Sequence, residues 1–241
     1  MKAILYIGHG TRYKKGAEEV KSFILRVMDQ IDVPIQEISF LELTSPSIEE
    51  GFRRCIERGA DEITVVPLFL LAAGHIKEDI PNVLSSLKEK YPQVQLNVRD
   101  PFGVQEQILD GVAEMIMETV ADFSARDSIL IVGRGSSDQE IHKAFAEITS
   151  GIKKRTGVKH VSVCYLAAAE PNLKEGLQSI CEQAARRIIV VPYLLFPGLL
   201  LNELNHSLRV LQNKGLPIMH TGPLSRHRVI EEIIIRRATQ G

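Results

Sequence analysis

The sequence predicts an α/β protein of two similar lobes, each a parallel sheet flanked by helices, produced by an internal duplication. Three observations predict it. Residues 40–79 lie without a gap over residues 165–204, and twelve of those 40 positions are identical, so the chain repeats itself at an offset of 125. In each half, short β-branched runs alternate with amphipathic stretches, the pattern of parallel strands joined by crossover helices. Runs such as Ile188-Ile189-Val190-Val191 are continuously apolar, as in sheets covered on both faces.

The elements follow in order. In the first half, strands are expected at residues 3–7, 35–40, 63–68 and 95–98, and helices at 15–28, 46–58, 81–90 and 106–120. The second helix illustrates the reasoning: Ile48, Phe52, Cys55 and Ile56 recur at helical spacing. Ser45 and Pro46 are read as its N-cap and first-turn proline, and Gly59 as its stop. The second half repeats the order, with strands at 128–132, 160–165, 188–193 and 217–220. The expected domains are 1–124 and 125–241, joined around 121–127, with a cleft between them.

Composition bounds the function. The 241 residues are 44% apolar and 24% charged, an ordinary globular balance that excludes disorder and low-complexity repeats. Basic and acidic residues number 29 and 30, so no global positive field draws nucleic acid or a membrane surface. Any anionic ligand needs a local cluster. Cys55, Cys164 and Cys181 are far apart, without the C-x-x-C spacing of zinc, iron-sulfur or dithiol sites. The first apolar run is too short for a secretory segment, and a cytoplasmic protein with no nucleic-acid or membrane partner is expected.

Ligands of open parallel sheets bind beyond the carboxyl ends of the strands. His9 follows the first strand there, Glu42 the second, and Leu70-Leu71-Ala72-Ala73-Gly74-His75 the third. Two imidazoles and a carboxylate suit iron(II), cobalt(II) or nickel(II). The repeat supplies an internal control: the partners of His9, Glu42 and His75 are Arg134, Ala167 and Leu200. Structural positions survived duplication while these did not, which argues for one asymmetric site in the first half. Either histidine alone reads more simply as an ordinary helix-entry or loop histidine; the two together, on one sheet edge and both without a counterpart, favour a site.

Arg12, Lys14 and Lys15 surround the first helix start, whose amides favour anions or are simply solvated. Ser45 is read as a cap whose hydroxyl can also meet a ligand carboxylate. His142, His160, His206, His220 and His227 have no ligand spacing and are expected on the surface. Residues 194–201 read either as core or as an apolar wall for a flat ligand. No Walker A loop, nucleophile elbow or H-E-x-x-H pair occurs, so ATP dependence is not indicated.

Gly8-His9-Gly10-Thr11-Arg12, Phe40-Leu41-Glu42, and Val66-Pro67-Leu68 running to His75 and Asp79-Ile80-Pro81 resemble the sirohydrochlorin chelatases, small ATP-independent lyases that insert iron or cobalt into a reduced tetrapyrrole. The resemblance covers essentially the whole chain. It implies that His9 is proton acceptor and metal ligand, that His75 completes the metal site, and that Glu42 assists. It places substrate contacts on Ser45 and on Leu70, Leu71, Ala72, Ala73 and Gly74. Arg12 and Arg134 are expected to meet the tetrapyrrole's carboxylates. It implies no permanent cofactor, Fe2+ or Co2+ being the substrate metal. Long cobalt-inserting relatives carry a histidine-rich stretch and a cysteine cluster that this sequence lacks, which favours a ferrochelatase of siroheme synthesis over a cobaltochelatase. A non-catalytic tetrapyrrole or metal carrier is the rival of another class. A histidine phosphatase is disfavoured because Gly8 stands where that chemistry needs arginine. A duplicated chain already holds a lobe pair, so a monomer is expected.

Overall fold

The computed structural model describes residues 1–183 and 186–240, and of His75 the backbone alone. The element order is β1 (Lys2–Gly8), α1 (Lys14–Met28), β2 (Ile35–Phe40), α2 (Ile48–Glu57), β3 (Glu62–Pro67), a π-helical turn (His75–Asp79), α3 (Ile80–Lys90), β4 (Gln95–Val98) and α4 (Glu106–Thr119). It continues with β5 (Ser128–Gly133), α5 (Gln139–Thr156), β6 (His160–Tyr165), α6 (Leu173–Cys181), β7 (Ile188–Pro192), α7 (Leu199–Asn213), β8 (Ile218–His220), a short 3-10 turn and α8 (Arg228–Thr239). Two four-stranded parallel sheets result, ordered β2-β1-β3-β4 and β6-β5-β7-β8. The expected fold class is the one observed.

In the first sheet β1 is central, paired to β2 from Ala3↔Ile35 to Gly8↔Phe40 and to β3 from Lys2↔Glu62 to Ile7↔Pro67. Ala3, Leu5 and Ile7 point to one face, where they pack with Ile48, Phe52 and Cys55 of α2 and with Ile80, Leu84 and Leu87 of α3. Ile4 and Tyr6 alternate to the other face and are equally buried. Helix α2 docks closely because Gly51 has no side chain: a Cβ there would stand 1.9 Å from Ser39 Oγ. Gly176, its partner in the repeat, faces Cys164 in the same way, at 2.4 Å. Both glycines are identical across the duplication because both helices lie this close to their sheet.

Helix α2 starts later than the sequence suggested. Its N-cap is Ser47, whose hydroxyl accepts from Glu50 N–H while the Glu50 carboxylate accepts from Ser47 N–H, a reciprocal capping box. Ser45 is therefore not the cap, and Pro46 lies outside the helix after a cis bond. Gly59 does end it, with φ +91.

The compact bodies do not coincide with the sequence halves 1–124 and 125–241. One comprises Met1–Gly103 with Glu231–Gly241, and the other Val104–Ile230. The repeat is a unit of sequence, and the bodies exchange its last helix. Within the second body, α4 packs on α5 and against β7 and β8. Within the first, the Arg237 guanidinium donates to the Phe102 carbonyl at 3.3 Å, and Ile233 and Ile234 of α8 are buried.

Candidate active site

At the carboxyl edge of the first sheet, the ladder between β1 and β2 continues past the strands. Leu41 N–H donates to the Gly8 carbonyl at 2.9 Å, and Glu42 N–H to the His9 carbonyl at 3.1 Å. The chains can run this close only because residue 10 is glycine. It has φ +93, and a Cβ there would stand 1.7 Å from the Glu42 carbonyl oxygen. The result is an imidazole beside a carboxylate, with His9 Nδ1 3.4 Å from Glu42 Oε1. Their side chains are 29% and 46% exposed, so the pair is open to an incoming ligand.

The segment after β3 approaches the same point. The Phe69 ring centroid is 6.1 Å from that of His9, tilted by 46°. The Phe69 carbonyl accepts from Phe102 N–H, and that of Leu70 from Gly103 N–H, pinning the segment from behind. Leu70, Leu71, Ala72 and Ala73 are half-buried and Gly74 exposed, an apolar surface whose last three residues have little side-chain bulk. Of the two placements open to His75, loop or helix entry, the backbone takes the second: it opens the π-helical turn that leads into α3. Such turns recur at functional sites because they re-aim side chains that a regular helix would fix. The side chain of His75, and so its expected metal ligation, lies outside the described residues.

The structure thus brings together His9, Glu42 and the segment bearing Leu70 to Gly74. Ser45 is exposed three residues past Glu42, and Arg12 is exposed three past His9. Arg134 is exposed one residue past β5, in the second body. Phe69 and Thr44, which the sequence did not single out, also belong to this edge. Thr44 links the two loops by hydrogen bonds to Thr11.

Other candidates resolve into packing. Burial pushes the Cys55 thiol up to about 12, with Glu37 adding to it, and burial alone does the same for Cys164. Neither thiol offers a thiolate ligand at neutral pH. His160 and His206 are exposed as expected, but His227 is not a surface histidine. Its Nδ1 accepts from Val229 N–H at 3.2 Å and its Nε2 meets Glu114 at 3.0 Å. The apolar stretch 194–201 divides: Leu195 and Leu201 are core, while Leu199 at the start of α7 is 58% exposed.

An open imidazole-carboxylate pair at the end of a parallel sheet can take a proton and bind a borderline divalent cation. The profile of the CbiX family matches residues 3–119 and again 128–241, once per repeat. The chain belongs to the CbiX family. Among CbiX relatives, it is 45% identical over 234 residues to a sirohydrochlorin ferrochelatase of Priestia megaterium, covering 97% of this chain and 88% of that one. A sirohydrochlorin cobaltochelatase of the same organism is 30% identical, with 100% and 80% covered. The CbiX fold found here superposes on SirB from Bacillus subtilis with Fe3+ at a TM-score of 0.86, with 34% identity and 99% and 96% of the two chains covered. Among the described residues no helix is long and apolar enough to cross a membrane.

Proposed function

We propose that this protein is a sirohydrochlorin ferrochelatase, inserting Fe2+ into sirohydrochlorin without ATP and releasing two pyrrole protons to form siroheme. The observation that carries the reading is the His9–Glu42 pair, 3.4 Å apart and open at the sheet edge. Likeness supports the choice of metal: of two Priestia megaterium chelatases, the iron enzyme is 45% identical to this chain and the cobalt enzyme 30%.

Each residue has a role. His9 is the proton acceptor and a metal ligand, since an imidazole is largely unprotonated at neutral pH and binds borderline cations. Glu42 holds the imidazole in the tautomer that keeps Nδ1–H toward the carboxylate and makes Nε2 the basic nitrogen; it also takes or relays the second proton. His75 is the second ligand to the substrate metal. The apolar segment Leu70 to Gly74, small at Ala72 to Gly74, lets the flat macrocycle approach, and Ser45, Arg12 and Arg134 are donors to its carboxylates. The protein needs no permanent cofactor and acts as a monomer.

A multiple-turnover assay with sirohydrochlorin and separate iron, cobalt and nickel salts, followed by absorbance, tests this. Metallated product should exceed the enzyme's molar amount many times over, fastest with iron, and His9→Ala and His75→Ala should each abolish turnover in a folded protein. A shift of the tetrapyrrole bands that stops at one equivalent would make the protein a carrier and defeat the proposal.

A further inference from the structure

We infer that Thr44 is a positioning residue for the chemistry at His9 and Glu42, a lock built into the first repeat and absent from the second. The inference rests on the roles proposed for those two residues. Thr44 lies two residues past Glu42, and Thr11 two past His9. The Thr44 hydroxyl accepts from Thr11 N–H at 2.9 Å and donates to the Thr11 carbonyl at 3.0 Å. One hydroxyl thereby satisfies both backbone groups of a residue 33 positions away. Thr11 is tied onward, its own hydroxyl accepting from Tyr13 N–H at 3.1 Å where the chain enters α1.

The lock closes a gap that the sheet leaves open. The last backbone hydrogen bond between the two loops on the strand side is Glu42 N–H to the His9 carbonyl. Past it, each loop would be anchored only through its own continuation. With Thr44 clamped to Thr11, the His9 and Glu42 backbones are held from both sides, which restricts where an exposed imidazole and carboxylate can stand relative to each other.

The duplicate shows that the fold does not need this lock. At Thr44's place stands Ala169, which has no hydroxyl, and at Thr11's place stands Ser136. The backbone frame of the loop pair persists. Ala167 N–H donates to the Arg134 carbonyl at 2.8 Å, as Glu42 does to His9. Gly135 has φ +92 and Ala168 φ +53, against +93 at Gly10 and +61 at Leu43. Ser136 Oγ still accepts from Asp138 N–H at 3.1 Å, as Thr11 does from Tyr13. The hydroxyl clamp is present only beside the histidine and glutamate, and is gone beside the arginine and alanine that replace them.

The test compares wild type, Thr44→Ala and Thr44→Ser in steady-state iron insertion, with circular dichroism melting of each and His9→Ala run alongside. Thr44→Ala copies residue 169 of a loop that folds without the hydroxyl, so it should melt as a folded protein. Its kcat should fall by about tenfold or more while KM for sirohydrochlorin stays within about twofold, because loop misplacement acts on the reacting groups and not on macrocycle docking. Thr44→Ser, which keeps the hydroxyl, should recover most of kcat. Unchanged kcat in Thr44→Ala, loss through KM alone, no recovery with serine, or an unfolded alanine variant would each overturn the inference, the last by making the lock a general structural tie. Full turnover by His9→Ala would instead sink the underlying assignment, so the two failures are told apart.

Discussion

The carboxyl edges of the two sheets share a backbone and differ in what is built on it. Both have a glycine of positive φ after the central strand, a close approach to the neighbouring loop, and a four-residue capping box at the helix that follows the neighbouring strand, Ser47 with Glu50 and Asn172 with Glu175. In the first sheet this frame carries His9 and Glu42. In the second it carries Arg134 and Ala167, above an aromatic cluster that the first sheet lacks. Phe145 of α5 lies over Gly133, where a Cβ would be 2.4 Å from its ring, and meets Tyr165 and Tyr193 edge-on at 5.3 and 5.6 Å. His142 adds an edge contact to Tyr165 at 5.4 Å. At the offset of 125 the first half has Ala17, Val20, Phe40 and Leu68 in those places. The difference teaches that the turn geometry belongs to the fold, since both copies need it to join strand to helix. The side chains at its tip are what the copies do not share: His9 and Glu42 in one, the exposed Arg134 and Ala167 in the other, where an aromatic cluster packs beneath the turn.

The largest expected effect comes from making the first edge resemble the second. His9→Arg puts the residue of position 134 into a turn that already accommodates arginine once, so the fold should hold. Iron insertion should fall by roughly a hundred- to ten-thousandfold, the range over which a positioned general base acts. Adding Arg134→His and Ala167→Glu to that variant should not restore it, because Leu200 supplies no second imidazole to the rebuilt edge. Turnover by the triple variant would mean that the imidazole-carboxylate pair suffices and that the segment ending at His75 is dispensable.

A second comparison concerns stability. Phe145 is 3% exposed and touches two other rings, so Phe145→Ala should cost about 3–5 kcal/mol in urea unfolding. Val20→Ala, at the matching place of α1, should cost roughly 2 kcal/mol or less. Turnover per folded molecule should be unchanged by Phe145→Ala. Equal costs for the two substitutions would remove the aromatic cluster as the device that distinguishes the second edge.

Legibility in the sequence divides along the same line. Strands β1, β3, β5 and β7 could be read, to within two residues, because continuous apolar runs of this length suit a sheet covered on both faces, and the mixed runs of β2, β4 and β6 between helical stretches fall at the expected residues. His9 and Glu42 could be read because parallel strands carry whatever follows them to one edge. The cap of α2 was legible too, as Ser47-x-x-Glu50, but Ser45-Pro46 offers a competing start that only the backbone rules out. The π-helical turn at His75 has no marker, since its hydrogen bonds depend on how the helix meets the preceding segment. Thr44 reads as a solvated loop hydroxyl until its partner 33 residues away is known. The exchange of α4 and α8 between the compact bodies was hidden because periodicity tells that a helix has an apolar face, not which sheet the face covers.

The smallest effect concerns the opposite, amino edges of the sheets, where the two copies have reversed their charges. Lys2 and Glu62 face each other at 3.9 Å in the first, and at the matching places of the second stand Asp127 and Arg187, 3.3 Å apart. Asp122 joins the second pair, accepting from Arg187 at 2.6 Å and from Arg186. Those hydrogen bonds, from Arg187 first and then Arg186, hold the Asp122 carboxyl below its ordinary range. Its folded-state value is lower than the roughly 3.9 of an unfolded chain, so its stabilisation is fully present above that value and is lost as pH falls through the lowered folded one. Asp122→Asn should therefore lower the urea midpoint slightly at pH 7, and the gap from wild type should close in acid, below about pH 4. Glu62→Gln, which removes the charge from a long pair and leaves an amide oxygen to accept from Asn97, should shift the midpoint less than Asp122→Asn at pH 7. A gap that persisted unchanged into acid would show that Asp122 acts through its shape and not its charge. The amino edges would then differ in packing, as the carboxyl edges do, and the reversed charges would be incidental to what holds the second sheet's first turn to the segment that precedes it.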